Sequence, residues 1–376
     1  MVAIFAALLA LAALLYTGVA IIALGRFRIR AMVAADNCPA ITILRPLYGA
    51  EPGLADNFET LLTQDYAGPV QIICGVRDSD DPAIAIIGSL QARYRAAAIQ
   101  MIVNPERLGA NNKISNLHNM AAHAEGDIII ISDSDVALPP YALTRLSAAL
   151  ADPETGMASC FHGGLARAGF WSHLAAMDIS YRFSPSVAVS AMIGLGHPAL
   201  GPTMALRRET WESIGGFAPF ANIIAEDYAI GRAVRALGLK SVIPGFCIAH
   251  GCSEQGITAM IGHELRWTRT IYGVDPVGFT GSLLTHPLPL SLLACALQPA
   301  YWPLIGIAVI ARCTLAWRMD AIAGWSSGAK LLLPLRDLFS FAVFVMTFFV
   351  KRVDWRGQML KIEPKGHIST IPENPA

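Results

Sequence analysis

Residues 128–135, IIIISDSD, place four consecutive isoleucines directly before two aspartates that flank a serine. An apolar run without alternation is typical of a strand that is buried on both faces of a sheet. Such a strand belongs to a mostly parallel sheet with helices on both faces, an α/β fold. The aspartates then fall at the carboxyl end of the strand, where open α/β sheets bind their ligands.

Other segments repeat this alternation of strand and helix. Short apolar runs at 41–45, 70–76, 99–104 and 127–132 predict strands. The stretches 53–65, 82–97 and 112–124 have the apolar spacing of helices. The sequence therefore predicts a Rossmann-like sheet in a soluble domain over residues 38–275.

Residues 1–25 carry no charge, and the run is long enough to cross a membrane. A cleaved signal peptide is the alternative, but no positive charge precedes the run, which is longer than a typical signal core. We therefore predict a retained transmembrane anchor.

A second apolar region, 281–350, predicts C-terminal transmembrane helices. Residues 287–311 carry no charge but contain four prolines, which are expected to bend or break helices. Residues 331–350 include Arg336 and Asp337, which could neutralise each other at the membrane interface.

Charge indicates an orientation and excludes one class of partner. Basic residues follow the first apolar run, at 26–30, and the last, at 351–356, which places both sites and the tail 351–376 in the cytoplasm. The 28 Lys and Arg balance 28 Asp and Glu, so no long-range attraction to nucleic acid is expected. Seven cysteines without CxxC or zinc spacing fit a reducing compartment.

Acidic residues follow two of the predicted strands. Asp133 and Asp135 lie two positions apart, so both carboxylates can reach one Mg²⁺ or Mn²⁺ ion. Asp78 and Asp81 follow the strand 70–76 and would lie on the same edge of the sheet. The alternative is that these aspartates only form turns or cap helices.

Four further candidates come later in the chain or beside a glycine turn. Glu226 and Asp227 either complement the dipole of a helix that begins there, or supply a general base. Lys113, in GANNKISNL, could contact an anionic donor. His250 is more often a structural histidine than a ligand, and we keep it as a weaker candidate.

The segment HELRWTRT predicts a helix with His263, Arg266 and Trp267 on one face. A guanidinium such as that of Arg266 matches the geometry of a diphosphate. Trp267 could line a pocket or anchor the helix at a membrane surface.

Taken in order, these motifs resemble the GT-A glycosyltransferases of families 2 and 21, and most closely the ceramide glucosyltransferase family. The resemblance runs from ITILRPLYGAEPGLADNFETLL through VRDSDDPAIAI, NNKISNL, ISDSDV, GPTMALRRE and IAEDYAIGRAV to HELRWTRT. Among bacterial relatives, the chain is similar to the glycosyltransferases associated with hopanoid biosynthesis. The resemblance implies a cytoplasmic GT-A catalytic domain over 38–275.

The family pattern, D, D, D, (Q/R)xxRW, implies roles for residues of this chain. Asp81, or Asp78 in its place, falls at the aspartate that contacts the nucleotide. Asp133 falls at the metal–diphosphate position, and Asp135 completes the DxD. Asp227 falls at the expected catalytic base.

Arg266 and Trp267 match the last pair of the pattern. His263 stands where the family usually has Gln or Arg, and this departure leaves the role of that position open. Glu226, like His250 and His263, remains a weaker site candidate.

The resemblance implies an inverting hexosyltransferase that moves a sugar from a UDP-sugar to a hydroxyl of a membrane lipid, with a divalent metal as cofactor. The favoured acceptor is a hopanoid such as bacteriohopanetetrol, with N-acetylglucosamine as the sugar. Ceramide with UDP-glucose is the alternative, followed by a polyprenyl phosphate acceptor or a silent nucleotide-sugar-binding membrane protein. The implied location is the bacterial inner membrane, with the catalytic domain facing the cytoplasm.

Overall fold

A computed structural model describes residues 1–27, 38–194, 199–350, 352–355, 358–362 and 366–370. The chain divides into two compact units. One, the sheet unit, comprises Ile29–His162 and His197–Gly251; the other, the helical unit, comprises Met1–Arg28, Gly163–Gly196 and Cys252–Ala376.

The sheet unit contains most of the strands. They are β1 Ile41–Pro46, β2 Val70–Val76, β3 Ala98–Val103, β4 Ile128–Ser132, β5 Val136–Ala137, β6 Thr155–Ser159, β8 Thr203–Arg207, β9 Lys240–Val242 and β10 Cys247–Cys252, while β7 Phe161–Ala166 continues into the helical unit. Its helices are α2 Leu54–Leu62, α3 Ala83–Arg93, α4 Asn112–Ala121, α5 Ala142–Leu150, α8 Arg208–Ser213 and α9 Glu226–Ala236.

The main sheet has the strand order β3-β2-β1-β4-β8-β6-β9. Strands β3, β2, β1 and β4 are parallel to their neighbours, whereas β8 runs antiparallel between β4 and β6. The predicted mostly parallel α/β sheet is therefore confirmed, and β1, β2 and β4 end at one edge.

The isoleucines of β4 show why the sheet is covered on both faces. Ile128 and Ile130 belong to one hydrophobic cluster, and Ile129 and Ile131 belong to another. Successive side chains of a strand point to opposite faces, so an unbroken apolar run fills both. All four side chains are buried.

The helical unit contains the apolar segments. Its helices are α1 Val2–Arg26, α6 Phe170–Asp178, α7 Ser184–Met192, α10 Ile257–Val274, α11 Pro276–Gly281, α12 Pro287–Leu297, α13 Pro303–Ala323 and α14 Leu333–Thr347, and short strands follow as β11 Arg352–Trp355, β12 Gln358–Ile362 and β13 Ile368–Thr370. A π-helical turn, Ile179–Phe183, joins α6 to α7. The rest of the predicted tail, including 371–376, lies outside the described residues.

Among the described residues, length and composition identify two helical segments that could cross a membrane, Val2–Arg26 and Pro299–Ala323. A third crossing is possible if Pro276–Thr285 and Pro287–Leu297, bent by 69°, form one span. The predicted N-terminal helix is thus present as α1.

The apolar stretch 287–311 is interrupted, as its prolines predict. The chain breaks after α12 into a 3₁₀ turn at Pro299–Tyr301, and α13 begins at Pro303. A proline cannot donate the backbone hydrogen bond of a helix interior, and Pro287, Pro299 and Pro303 each open a helical segment instead.

The segment predicted at 331–350 also differs, because α14 has only 15 residues. Arg336 and Asp337 are buried there and do not neutralise each other. Asp337 pairs with Arg312, and Arg336 pairs with Asp178 and Glu264.

Candidate functional site

The turn that carries Asp133 and Asp135 follows β4 directly and is held by Arg45, which is completely buried at the end of β1. Nη1 of Arg45 donates to Oγ of Ser132 at 3.1 Å, and Nη2 donates to the carbonyls of Ser134 and Val136 at 2.9 Å each. Arg45 therefore fixes the backbone between the two aspartates. Sequence reasoning missed this residue, although an arginine closing an apolar strand was a visible signal.

Lys113 joins two acidic segments of the site. Its ammonium lies 2.7 Å from Oδ1 of Asp133 and 3.0 Å from Oε1 of Glu226. The side chain of Asn111 caps α4 by accepting from the Ile114 amide at 3.0 Å, which places Lys113 in the first turn.

The neighbouring charges decide the protonation states of Lys113 and Asp133. Burial alone would lower the pKa of the Lys113 ammonium, but Asp133 and Glu226 outweigh it and raise that pKa. Burial raises the pKa of Asp133 above its usual value, against the pull of Lys113. Lys113 is thus a fixed positive charge between two carboxyl groups.

Asp227 lies beside this group in the first turn of α9 and is half-buried. Oδ2 of Asp227 accepts from the Gly201 amide at 2.9 Å, and Oδ1 accepts from the Tyr228 amide at 2.7 Å. A Cβ at position 201 would lie 3.0 Å from Oδ2, so glycine permits this close approach. Burial, followed by the charge of Glu226, raises the pKa of Asp227 to about 6.

Asp135 is paired with a histidine from another strand. Nε2 of His250 in β10 lies 3.3 Å from Oδ2 of Asp135, and β10 pairs antiparallel with β5 just after the aspartate. Burial would raise the pKa of Asp135, but His250 and then Arg45 hold it well below its usual range. Asp135 is therefore an ionised carboxylate.

His162 packs against His250, with ring centroids 5.5 Å apart and the rings tilted by 57°. Burial, and then the charge of His250, lowers the pKa of His162 to about 3. His162 is consequently neutral at physiological pH. It too was missed from the sequence, where no motif surrounds it.

The donor set around the DSD turn fits a hard divalent ion in part. The buried Oδ1 of Asp135 has no hydrogen-bond partner among the residues that the structure describes, so one carboxylate oxygen is available. Within the same residues, no group of three or more His, Cys, Asp or Glu is arranged to hold a metal ion. An ion here would need ligands beyond the protein, as Mg²⁺ usually does.

Asp78 and Asp81 lie on the edge predicted for them, after β2. Both carboxylate oxygens of Asp81 accept from the Gly49 amide at 3.0 Å, and Oδ1 also accepts from the Ala83 amide at 2.9 Å. Oδ1 of Asp78 accepts from the Asp80 amide at 3.1 Å. Asp81 thus ties the loop after β1 to the start of α3, and Asp78 shapes an exposed turn.

His263, Arg266 and Trp267 lie on α10, in the helical unit. The rings of His263 and Trp267 meet edge to face with centroids 5.1 Å apart, so these two share one face as predicted. Nδ1 of His263 lies 2.5 Å from Oε1 of Glu254, and Trp267 packs near Phe183.

The mostly parallel sheet, with two aspartates in the turn after β4, is a GT-A-like glycosyltransferase fold. A solved mannosyltransferase from Pyrobaculum calidifontis, in complex with GDP-Man and Mn²⁺, shares this fold: the TM-score is 0.51 at 18% identity, covering 92% of this chain and 99% of the other. The chain belongs to glycosyl transferase family 21, which matches residues 5–368.

Curated relatives agree with this family. Ceramide glucosyltransferase 3 of Caenorhabditis elegans is 24% identical over 272 residues, which cover 70% of this chain and 56% of that protein. An N-acetylglucosaminyltransferase of Rhizobium leguminosarum bv. viciae is 23% identical over 248 residues, 64% of this chain and 57% of the relative. The chain thus spans little more than half the length of these relatives. The predicted family, the ceramide glucosyltransferase-like family 21, is confirmed.

Proposed function

We propose that this protein transfers one sugar from a UDP-sugar to a hydroxyl of a membrane lipid, with inversion at the anomeric carbon. The observation that carries the proposal is the setting of Asp227. It is a half-buried carboxyl group, oriented by two backbone amides and held at a pKa of about 6 by burial and by Glu226. A carboxyl group with such a pKa is a stronger base than an ordinary aspartate and is still ionised at neutral pH.

In the proposed reaction, Asp227 accepts the proton of the acceptor hydroxyl as its oxygen attacks the anomeric carbon. The bond between that carbon and the diphosphate breaks in the same step, and UDP leaves with the electron pair. Glu226 stays paired with Lys113 and keeps the pKa of Asp227 high.

Lys113, whose ammonium lies beside Asp133 and Glu226, is the proposed cation for the departing diphosphate. From its place in the family pattern, Arg266 is proposed as a further donor contact, because a guanidinium matches the geometry of phosphate oxygens. Asp133 and Asp135 would hold a divalent ion together with substrate phosphates and water. Such an ion, when bound, supplies neutralisation of negative charge on the leaving group.

The acceptor is proposed to be a lipid because the chain carries apolar helices long enough to cross a bilayer. A hopanoid with an N-acetylglucosamine donor is the favoured pair, and the N-acetylglucosaminyltransferase relative supports that sugar. Ceramide with UDP-glucose is the second candidate, favoured by the name of the C. elegans relative. We place the sheet unit on the cytoplasmic side of a bacterial inner membrane, where UDP-sugars are made available.

Product analysis tests the proposal. The full chain in nanodiscs is incubated with UDP-N-acetylglucosamine or UDP-glucose and with bacteriohopanetetrol, ceramide or a polyprenyl phosphate. We expect mass spectrometry to show a lipid with one added sugar, an N-acetylhexosamine or a hexose according to the donor, and NMR to show a β-linkage when the donor is an α-linked UDP-sugar. A sugar on polyprenyl phosphate would reassign the acceptor, and donor binding without any product would refute the proposed activity.

A further inference from the structure

Four buried charged side chains form an ion cluster in the helical unit, defined here as Asp178, Arg182, Glu264 and Arg336. Their side chains are at most 18% exposed, and the two acids balance the two arginines. Bringing such charges out of water is costly unless geometry is good, so a buried cluster often serves to fix one arrangement of its elements.

Arg336 of α14 is the centre of the ion cluster. Nη2 lies 2.7 Å from Oε2 of Glu264 on α10 and 2.8 Å from Oδ1 of Asp178 at the end of α6. Nε donates to Oγ of Ser340 at 3.2 Å, and that hydroxyl donates to Asp178 at 2.6 Å. One guanidinium therefore joins three helices.

The side of α10 that faces the ion cluster is not the side that carries the RW pair. The buried residues of α10 are Met260, Glu264 and Thr268, spaced four apart on one face. Oγ1 of Thr347 donates to Oγ1 of Thr268 at 2.7 Å, which adds a second fastening to α14. Trp267 lies on a neighbouring face with His263.

The ion cluster also reaches Trp267 from its other side. Nε and Nη2 of Arg182 donate to Asp178 at 2.8 and 2.5 Å, one turn along the chain. The next residue, Phe183, packs against Trp267 with centroids 5.9 Å apart. Arg336 thus restrains the backbone of α10 and the aromatic neighbour of Trp267 together.

We propose that Arg336 is a positioning residue. Through Glu264 and Asp178 it sets the rotation of α10 about its axis and the position of α10 along that axis. These in turn place Arg266 and Trp267. The inference rests on the proposed function only for the donor role of that pair. A planar guanidinium between two carboxylates defines orientation as well as distance, which a lysine cannot reproduce. A displacement of about 1 Å at a binding residue can cost on the order of 100-fold in rate.

The chain offers a matched control. Arg312 of α13 is equally buried, and its hydrogen bonds go to Asp337 of α14 and to the Tyr181 carbonyl. Arg336→Met and Arg312→Met therefore remove the same group from the same kind of site, but only the first loosens α10.

The test uses the full chain in nanodiscs, with hydrogen exchange of residues 257–274 and steady-state kinetics as two independent readouts. For Arg336→Met we expect faster exchange in α10 and a kcat lower by about tenfold to 100-fold, with the acceptor KM unchanged. Arg336→Lys should fall between this variant and wild type. Arg312→Met should lose thermal stability but keep α10 exchange and kcat within about twofold of wild type.

Equal losses of kcat in the two methionine variants would overturn the proposal, as would unchanged α10 exchange in Arg336→Met. If Arg336→Met does not fold, Glu264→Gln and Asp337→Asn are compared in the same way. Each replaces a carboxylate by an amide of the same size, the first in the partner of Arg336 and the second in the partner of Arg312. A wild type without transfer activity would refute the proposed function alone, because the exchange experiment still decides whether Arg336 positions α10.

Discussion

Neutralising Glu226 should lower the pH at which the reaction loses its base. Glu226→Gln preserves the size of the side chain, and the amide oxygen can still accept from Lys113, which lies 3.0 Å from Oε1 of Glu226. It removes one negative charge next to Asp227, where that charge is the largest contribution after burial to the raised pKa. Without the negative charge of residue 226, the ionised form of Asp227 is favoured over the neutral acid, so the pKa of Asp227 falls.

The expected fall in the pKa of Asp227 can be worked out from how far that pKa is raised. The pKa of Asp227 is raised from 3.8 to about 6, a preference for the neutral acid of about 3 kcal/mol. If Glu226 supplies somewhat under half of this, its loss is worth about 1.4 kcal/mol, or one pH unit. Lys113, released from one carboxylate, acts in the same direction.

The assay is kcat/KM for the UDP-sugar between pH 4.5 and 8, because this quantity reports the ionisation of the free enzyme. Wild type should lose activity as pH falls through about 6, since only the carboxylate of Asp227 accepts a proton. In Glu226→Gln, this loss of kcat/KM on the acid side should occur at about pH 5. Glu209→Gln, which neutralises an exposed carboxylate paired with Arg207, should lose activity at the same pH as wild type. If Glu226→Gln loses activity at pH 6 or above, Glu226 does not raise the pKa of the catalytic base.

Three further predictions concern the rest of the site. Lys113→Met leaves two acids without their shared cation and should lower the free energy of unfolding by about 3 kcal/mol in denaturant titration, while Lys113→Arg keeps most of it. Arg45→Met removes three hydrogen bonds from the DSD turn, which costs about 3 kcal/mol and should raise the Mn²⁺ concentration for half-maximal transfer; an unchanged Mn²⁺ titration would contradict its role. Chelation by EDTA should abolish transfer and Mn²⁺ or Mg²⁺ should restore it, whereas full activity in EDTA would remove the metal from the account.

The strands of the parallel half were predictable because two-sided burial leaves a distinct pattern. The apolar runs at 41–45, 70–76 and 127–132 become β1, β2 and β4 with ends shifted by at most one residue. The antiparallel β8 was not predicted, because the direction in which a strand joins a sheet depends on distant partners. Its sequence, TMALR, lies within the motif GPTMALRRE, for which no strand was predicted.

The candidate site was predictable as a set of acids and not as a set of contacts. Asp133 and Asp227 could be named from motifs, whereas the ion pair of Lys113 with Glu226 joins residues more than 100 positions apart. The Asp135–His250 pair likewise depends on β10 returning beside β5. Local sequence carries no information about such pairings, which tertiary structure alone creates.

The apolar C-terminal region was predictable in composition but not in its breaks. The prolines predicted interruptions at 287–303. Which of these prolines would begin a helix depended on the packing of α12 and α13. Arg336 and Asp337 are adjacent in sequence, but successive helical residues point in different directions and so find separate partners.

The most direct test of the account compares Asp227→Asn with wild type in two measurements on the same nanodisc preparation, UDP-sugar binding and sugar transfer to lipid. Asparagine keeps the size of the side chain and can still accept from the Gly201 amide, but it cannot take the hydroxyl proton. We predict that Asp227→Asn binds the UDP-sugar with an affinity within about threefold of wild type, and that its rate of sugar transfer is lower by at least about 100-fold. Transfer at the wild-type rate by Asp227→Asn would show that Asp227 is not the base.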